Sequence, residues 1–366
     1  LRQARFVLPL LVVALAAVLA VRLASAQARE PYEFKVDPAK DDITAGAGEL
    51  AIEPRFRAVA DDRFPYEVYF NTRRHGSTSE GGRAVDAFTR HENWLVLAML
   101  ELAEDEQEGR TDLRLGVQYE QLSFLVDNGR GRYAGYIGPG SDGRTARFQE
   151  VLADGTRSDV LNIPGWVGIN ATNMESARSN QSLTGAASAF FSVDETGRLY
   201  NDQYFADFNV ADQRNQPGLL VNPVHLALGL SAQFNKGTRL KIGETVEVTR
   251  RFPVGPVPGA TAQYRFTYRL ERLYGTLAEP AAARFSFTAV PVTAAVSQTL
   301  DGIQVRFDAP EVKNGVLLYD LAKGVAADVT WSISLRGTAT QAGLSSDFGM
   351  EADFRATLRR KPRTGS

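Results

Sequence analysis

The chain has 366 residues, of which 44% are hydrophobic and 23% charged, with a formal net charge of −2; that is an ordinary globular composition with enough apolar material for a real core. It contains no cysteine, which excludes disulfide staples, thiolate metal sites, cysteine nucleophiles and a lipidated cysteine anchor. The mild acidity offers no electrostatic footprint for nucleic acid.

Residues 1–28 read as an export signal. Arg2 and Arg5 precede the apolar run 6–21, and Arg22 is followed by the small-residue exit Ala24-Ser25-Ala26, with Ala26-Gln27-Ala28 as a second candidate. A basic start, a short apolar stretch and an Ala-x-Ala site mark a secretory signal peptide. The run of about 16 residues falls short of the roughly 20 that span a bilayer, so cleavage is expected rather than a permanent single-span anchor. Loss of Arg2, Arg5 and Arg22 takes the net charge from −2 to −5. The expected address is the periplasm or cell envelope rather than the extracellular medium, with membrane contact through this segment alone if it stays uncleaved.

Residues 29–53 are polar, carry Pro31, Pro38 and Gly46-Ala47-Gly48, and read as a linker or irregular arm outside the core. A first β module is expected over 54–215. Phe64, Tyr66, Val68 and Phe70 alternate as a half-buried strand requires. The apolar run 94–102, the charged turn 104–109 and the return through Leu113, Leu115, Val117, Tyr119, Leu122 and Phe124 predict a hairpin. Residues 126–185 are rich in Gly, Asn, Ser and Asp and predict a loop-rich insertion, with a helical candidate at 145–152 and Trp166 inside it. A connecting segment, 216–241, holds a short helix predicted over 219–234, starting near Pro223.

A second module is expected over 242–360. Its strands are predicted at 244–254, 263–274, 283–290, 302–307, 315–319, 325–336 and 350–358, separated by turns at Asp301-Gly302, Asn314-Gly315 and Lys323-Gly324. Residues 361–366 belong to a solvated basic tail. Arg63-Phe64-Pro65-Tyr66-Glu67-Val68 and Gly243-Glu244-Thr245-Val246-Glu247-Val248 open the two blocks alike, which suggests a repeat. The fold class is therefore mostly β: two related antiparallel modules of long, strongly twisted strands forming an open barrel or curved sheet, with a short central helix and one insertion.

The opening Lys241-Ile242-Gly243-Glu244-Thr245, the strand-rich middle and the closing Gly315-Val316-Leu317-Leu318-Tyr319-Asp320…Gly324 segment resemble a family of exported bacterial proteins with an uncharacterised domain. The resemblance spans residues 60–360. It implies a long-stranded, strongly curved sheet or open barrel, and brings no activity or catalytic residue with it.

Chemistry is sparse. Arg73, Arg74 and His75 stand together in a polar stretch between strands, where they read either as a cradle for phosphate or sulfate or as a solvated hairpin tip. His91 beside Glu92 lacks the spacing that puts two imidazoles on one helical face, and His225 reads as a structural histidine. Gly138-Pro139-Gly140-Ser141-Asp142-Gly143 satisfies a dinucleotide pattern formally, but the antiparallel context makes it a plain loop. Asp194, Asp202, Asp207 and Asp212 are candidates for an irregular calcium site or a solvated face. No Gly-x-Ser-x-Gly or Ser-x-x-Lys motif is present. No metal and no cofactor is expected.

Tyr264, Phe266 and Tyr268 share one strand face and serve either as core or, with Trp166, as the lining of a groove for an acyl chain or other apolar ligand. The leading expectation is an exported, non-catalytic envelope protein that binds an apolar or amphipathic small molecule on a concave sheet face. The alternatives are a structural scaffold whose sheet edges pair with partners, and a hydrolase with a site built from loops in 126–185.

Overall fold

The structure, a computed structural model, describes residues 30–359 apart from 105–112, 128, 130, 138–144, 153, 160, 165–186, 194–233, 235–236, 254–260, 293–294 and 301. Several expectations fall outside the described residues: the signal segment, the glycine turn at 138–143, Trp166, His225, the four aspartates between 194 and 212, the predicted helix except Phe234, and the basic tail.

In chain order the strands are β1 (Arg63–Glu80), β2 (Arg83–Glu104), β3 (Leu113–Asp127), β4 (Arg132–Ile137), β5 (Thr145–Glu150), β6 (Leu161–Pro164), β7 (Ala187–Val193), β8 (Thr245–Pro253), β9 (Thr261–Gly275), β10 (Pro280–Pro291), β11 (Ala295–Leu300), β12 (Ile303–Asp320), β13 (Val325–Gln341) and β14 (Leu344–Leu358). One sheet runs β6-β5-β4-β3-β2-β1-β14-β13-β12-β10-β9-β8, with β7 beside β3 and β11 beside β12. Every pairing is antiparallel. Among the described residues no pairing joins β6 to β8, so the sheet is open. The fold is mostly β, as the alternation of the sequence predicts.

Alternation sets the two faces. On β1, Tyr66, Val68, Phe70, Thr72 and Arg74 are buried, while Glu67, Tyr69, Asn71, Arg73 and His75 between them are exposed. The inward face continues through Val96 and Leu100 on β2, Ala352 and Ala356 on β14, Val329 and Ile333 on β13, Leu317 on β12, and Phe285 and Phe287 on β10. Sheets wider than about ten strands curl, and this one curls around its apolar face. Among the described strands the two halves of the chain are joined where β1 pairs with β14, from Tyr66 opposite Leu358 to Glu80 opposite Leu344.

The arm before β1 has an irregular backbone, but its side chains correct the expectation of a linker outside the core. Phe34, Val36, Ala47, Ile52 and Ala58 are all buried. The arm's amides donate to Arg63, Leu273, Leu240, Lys323 and Leu102 carbonyls, through Tyr32, Ile43, Ile52, Arg57 and Asp61 respectively. Those carbonyls lie at or just beyond the ends of strands on one rim, so the arm laces that rim shut. The physical reason is that a curled sheet leaves apolar strand ends uncovered, and a polar-looking segment with a few apolar residues suffices to cap them. Where the arm meets the β12–β13 turn, Gly324 has φ +69, and a Cβ there would fall 2.0 Å from the Arg55 carbonyl oxygen.

Two local expectations are corrected. Residues 145–152 do not form a helix: β5 occupies Thr145–Glu150, with Phe148 opposite Gly135 on β4 and Leu161 on β6. An isolated helix this short is unstable, and two waiting strands supply a ladder instead. Asn314-Gly315 is not a turn but a bulge inside β12, with Asn314 at φ 52 and a register shift between Lys313 and Val316. Gly315 is required there because the Phe287 ring lies across it, 2.6 Å from where a Cβ would stand. The one helical element among the described residues is the 3-10 turn Thr44–Gly46.

Candidate functional site

Strand register stacks five aromatic rings in a row across the inner face. Phe124 lies opposite Trp94, Trp94 opposite Phe70, Phe70 opposite Phe354, and Phe354 opposite Trp331. Successive ring centroids are 4.7, 5.7, 6.1 and 5.6 Å apart. The Phe70 and Trp94 planes are within 9° of parallel. Such pairs add about 0.5–1.5 kcal/mol each beyond simple burial. Trp331 Nε1, at one end of the row, is buried without a hydrogen-bond partner.

Moving from this row away from the arm, the same face becomes charged. Thr72 and Glu92 pair one inward step along, and Arg74 and Arg90 pair at the next. Glu92 is 0% exposed. Its Oε2 accepts from Trp94 Nε1 at 3.2 Å and from Thr72 Oγ1 at 3.5 Å, and Arg90 Nε is paired with its Oε1. Arg74 Nη2 stands 3.6 Å from Glu92 Oε2, close enough for an ion pair and too far for a hydrogen bond.

Arg74 is 6% exposed, and its Nε and Nη2 are buried with no hydrogen-bond partner. Burial pulls the Arg74 guanidinium down to about 10; the Glu92 carboxylate works against that shift and Arg90 adds to it. Arg74 therefore remains charged at neutral pH. A buried donor left unmet costs about 1–3 kcal/mol, more when it is charged. Two guanidiniums surround one carboxylate, so the cluster carries one net positive charge on an otherwise apolar face.

The proposed ligand-lining residues lie on this face, in a part that the protein fills itself. Tyr264, Phe266 and Tyr268 are buried on β9, with centroids 6.3 and 5.9 Å apart along the strand. Phe234 packs on Tyr268 at 5.1 Å, and on Phe285 and Tyr319 at 5.0 and 5.5 Å. The proposed anion residues are not brought together. They sit mid-strand on β1 rather than between strands, so alternation sends Arg74 inward and Arg73 and His75 outward. The His75 imidazole lies over Gly349 on the outer face.

A shallow hollow of about 320 Å³ on the outer face is lined by Tyr69, Asn93, Leu95, Ser123, Leu125 and Arg157, among others. Its Tyr69 hydroxyl is already donated to Asn93 Oδ1 at 2.9 Å. Among the described residues there is no group of three or more His, Asp or Glu placed to hold a metal ion.

Sequence reasoning passed over the pairing of Glu92 with Arg74 and Arg90. A signal was present: Glu92 is in phase with Trp94, Val96 and Ala98, so a carboxylate occupies an inward position of an apolar alternation. Its partners are set by register, which the pattern of one strand does not contain.

An open antiparallel sheet with an apolar inner face, a laced rim and an outer face carrying Glu67, Arg73, Glu351, Asp353 and Arg355 belongs to the class of curved, single-sheet β proteins. Neither a protein-family model nor a curated protein matches the chain. Among solved structures it is similar to the β domain of the Bordetella autotransporter BrkA, at 10% identity over 80% of this chain and 98% of that one, with a TM-score of 0.18. It is similar to DynF from the dynemicin biosynthesis pathway of Micromonospora chersina, at 7% identity over 93% and 100%, TM-score 0.19. A DUF1329 family protein from Desulfovibrio piger is matched at 11% identity over 82% and 87%, TM-score 0.16. At these scores none of the likenesses bears on what this chain does.

Proposed function

We propose that the protein is an exported, non-catalytic component of the bacterial envelope that holds an apolar or amphipathic ligand against the inner face of its curved sheet. The observation that carries this reading is the row of five rings from Phe124 to Trp331 beside a buried, net-positive cluster. Such a face acts by shape and burial, since each methylene removed from water contributes about 0.8 kcal/mol. The segment 1–28 supports export. The charged outer face of β1 and β14 supports contact with water, because charges facing lipid at mid-bilayer cost about 2–4 kcal/mol each for Arg or Lys.

The test is native mass spectrometry of the mature protein purified gently from its own envelope. Extra mass that disappears on solvent extraction supports the reading and identifies the ligand. A bare monomer overturns it. A bare oligomer overturns it in favour of a scaffold that assembles through its sheet edges.

A further inference from the structure

The ladders on the two sides of β2 do not end together. Pairing to β1 runs out to Arg83 opposite Glu80, whereas pairing to β3 stops at His91 opposite Asp127. The turn after β3 reaches as far as Thr89, where a Cβ on Gly129 would stand 3.6 Å from the carbonyl oxygen. Residues 83–88 therefore have β1 on one side and, among the described residues, no strand on the other. Every residue from Gly81 to Thr89 is exposed, with Val85 at 60% and Phe88 at 52%. The Phe88 ring lies over Gly76 on β1, 2.4 Å from where a Cβ would stand, so it covers the sheet face rather than the backbone edge. The Ala87 amide is spent on its neighbour's carboxylate, Asp86 Oδ1, at 2.9 Å. An open edge carrying large apolar side chains is a template for another strand.

We propose that the 83–88 edge of β2 pairs antiparallel, about a two-fold axis, with the same edge of a second copy of this chain. Charge complementarity selects that partner. The register shift between Thr78 and Ser79 leaves Val85 as an extra residue, so Arg83 falls opposite Glu80 and Asp86 opposite Thr78, on one face of the sheet. Unbroken alternation would put residues three apart on opposite faces. Two-fold pairing centred near Val85 sets Arg83 against the partner's Asp86, directly opposite or on the diagonal, and does so twice. A bulge and edge charges commonly keep strands apart; here the two signs answer each other in a second copy. Asp86 exchanges the Ala87 amide for the partner's Arg83, and the freed amide donates to the facing backbone. The contact goes beyond the ligand-binding reading and leaves the packed inner face untouched. A ligand-carrying dimer satisfies both; a bare dimer satisfies this one alone.

Sedimentation velocity of the mature protein over a concentration series reads the pairing. Wild type is expected to pass from monomer to dimer as concentration rises, and to stop there. Ala87→Pro removes the edge amide without touching the β1 ladder and is expected to leave a monomer. Arg83→Asp is expected to weaken the dimer about tenfold, the scale of two exposed ion pairs turned into repulsions. Combining Arg83→Asp with Asp86→Arg is expected to restore it, a rescue that a general loss of stability does not give. A wild type that stays monomeric overturns the proposal, as does assembly beyond the dimer or a dimer indifferent to these substitutions. If Ala87→Pro does not fold, the charge reversal and its rescue decide alone, because both positions are exposed.

Discussion

Asp320 shows how a single buried carboxylate ties the arm to the sheet. It sits at the end of β12, 1% exposed, accepting from the Tyr32 hydroxyl at 2.5 Å and from the amides of Ala322 and Lys323 at 2.7 and 3.3 Å. Lys323 turns instead to Asp62, at 2.7 Å, and lies over the Tyr32 ring. Burial raises the Asp320 carboxyl above the usual carboxylate range, against the pull of Tyr32, the two amides and Lys323. The folded state thus holds this proton more tightly than the unfolded chain does. Its contribution to stability is full below the unfolded value and is lost as pH rises through the raised folded value. In Asp320→Asn that titration is gone. The stability of wild type relative to the variant is therefore expected to fall as pH increases from about 4 upward, read by urea unfolding at a series of pH values. A difference that grows with pH would show that the pairing to Tyr32 and Lys323 outweighs desolvation.

At the scale of elements, the arm separates composition from role. Its prolines, glycines and charges look like a linker, yet Ile52 is 5% exposed and its backbone exchanges two hydrogen bonds with Leu240, at 3.0 Å each. A true linker residue changes stability by less than about 0.5 kcal/mol when truncated, whereas a core isoleucine costs about 2–4 kcal/mol. Ile52→Ala is expected to fall in the second range by denaturant unfolding. The same logic accounts for what the strands disclosed beforehand. The alternation around Phe64–Phe70 and the 94–124 hairpin were legible because period two is a local property. The bulge at Gly315 was not, because its cause is the Phe287 ring, which reaches it from β10.

For the whole molecule, the seam between β1 and β14 is the decisive contact. It joins residues almost 300 positions apart, such as Tyr66 and Leu358, so the sheet cannot be completed until most of the chain is in place. Removing 344–358 exposes the facing edges of β1 and β13 and interrupts the ring row at Phe354. That truncated chain is expected to aggregate or to lose its single cooperative unfolding transition, measured by circular dichroism and light scattering. A soluble product with one sharp transition would show instead that the two halves fold as independent modules.

The sequence by itself determined the mostly β class, the freedom from cysteine chemistry, and the shared face of Phe64, Tyr66, Val68 and Phe70 and of Tyr264, Phe266 and Tyr268, since all of these follow from composition or from neighbours two positions apart. Only the tertiary structure decided that β1 meets β14, that the arm is core, that Tyr264, Phe266 and Tyr268 are buried with Phe234 packed on Tyr268, and that Arg74 parts from Arg73 and His75 to join Arg90 and Glu92. Each of those outcomes depends on register between distant segments. Register is chosen by the burial of one whole face at once, because a slip of one residue would turn every inward side chain out.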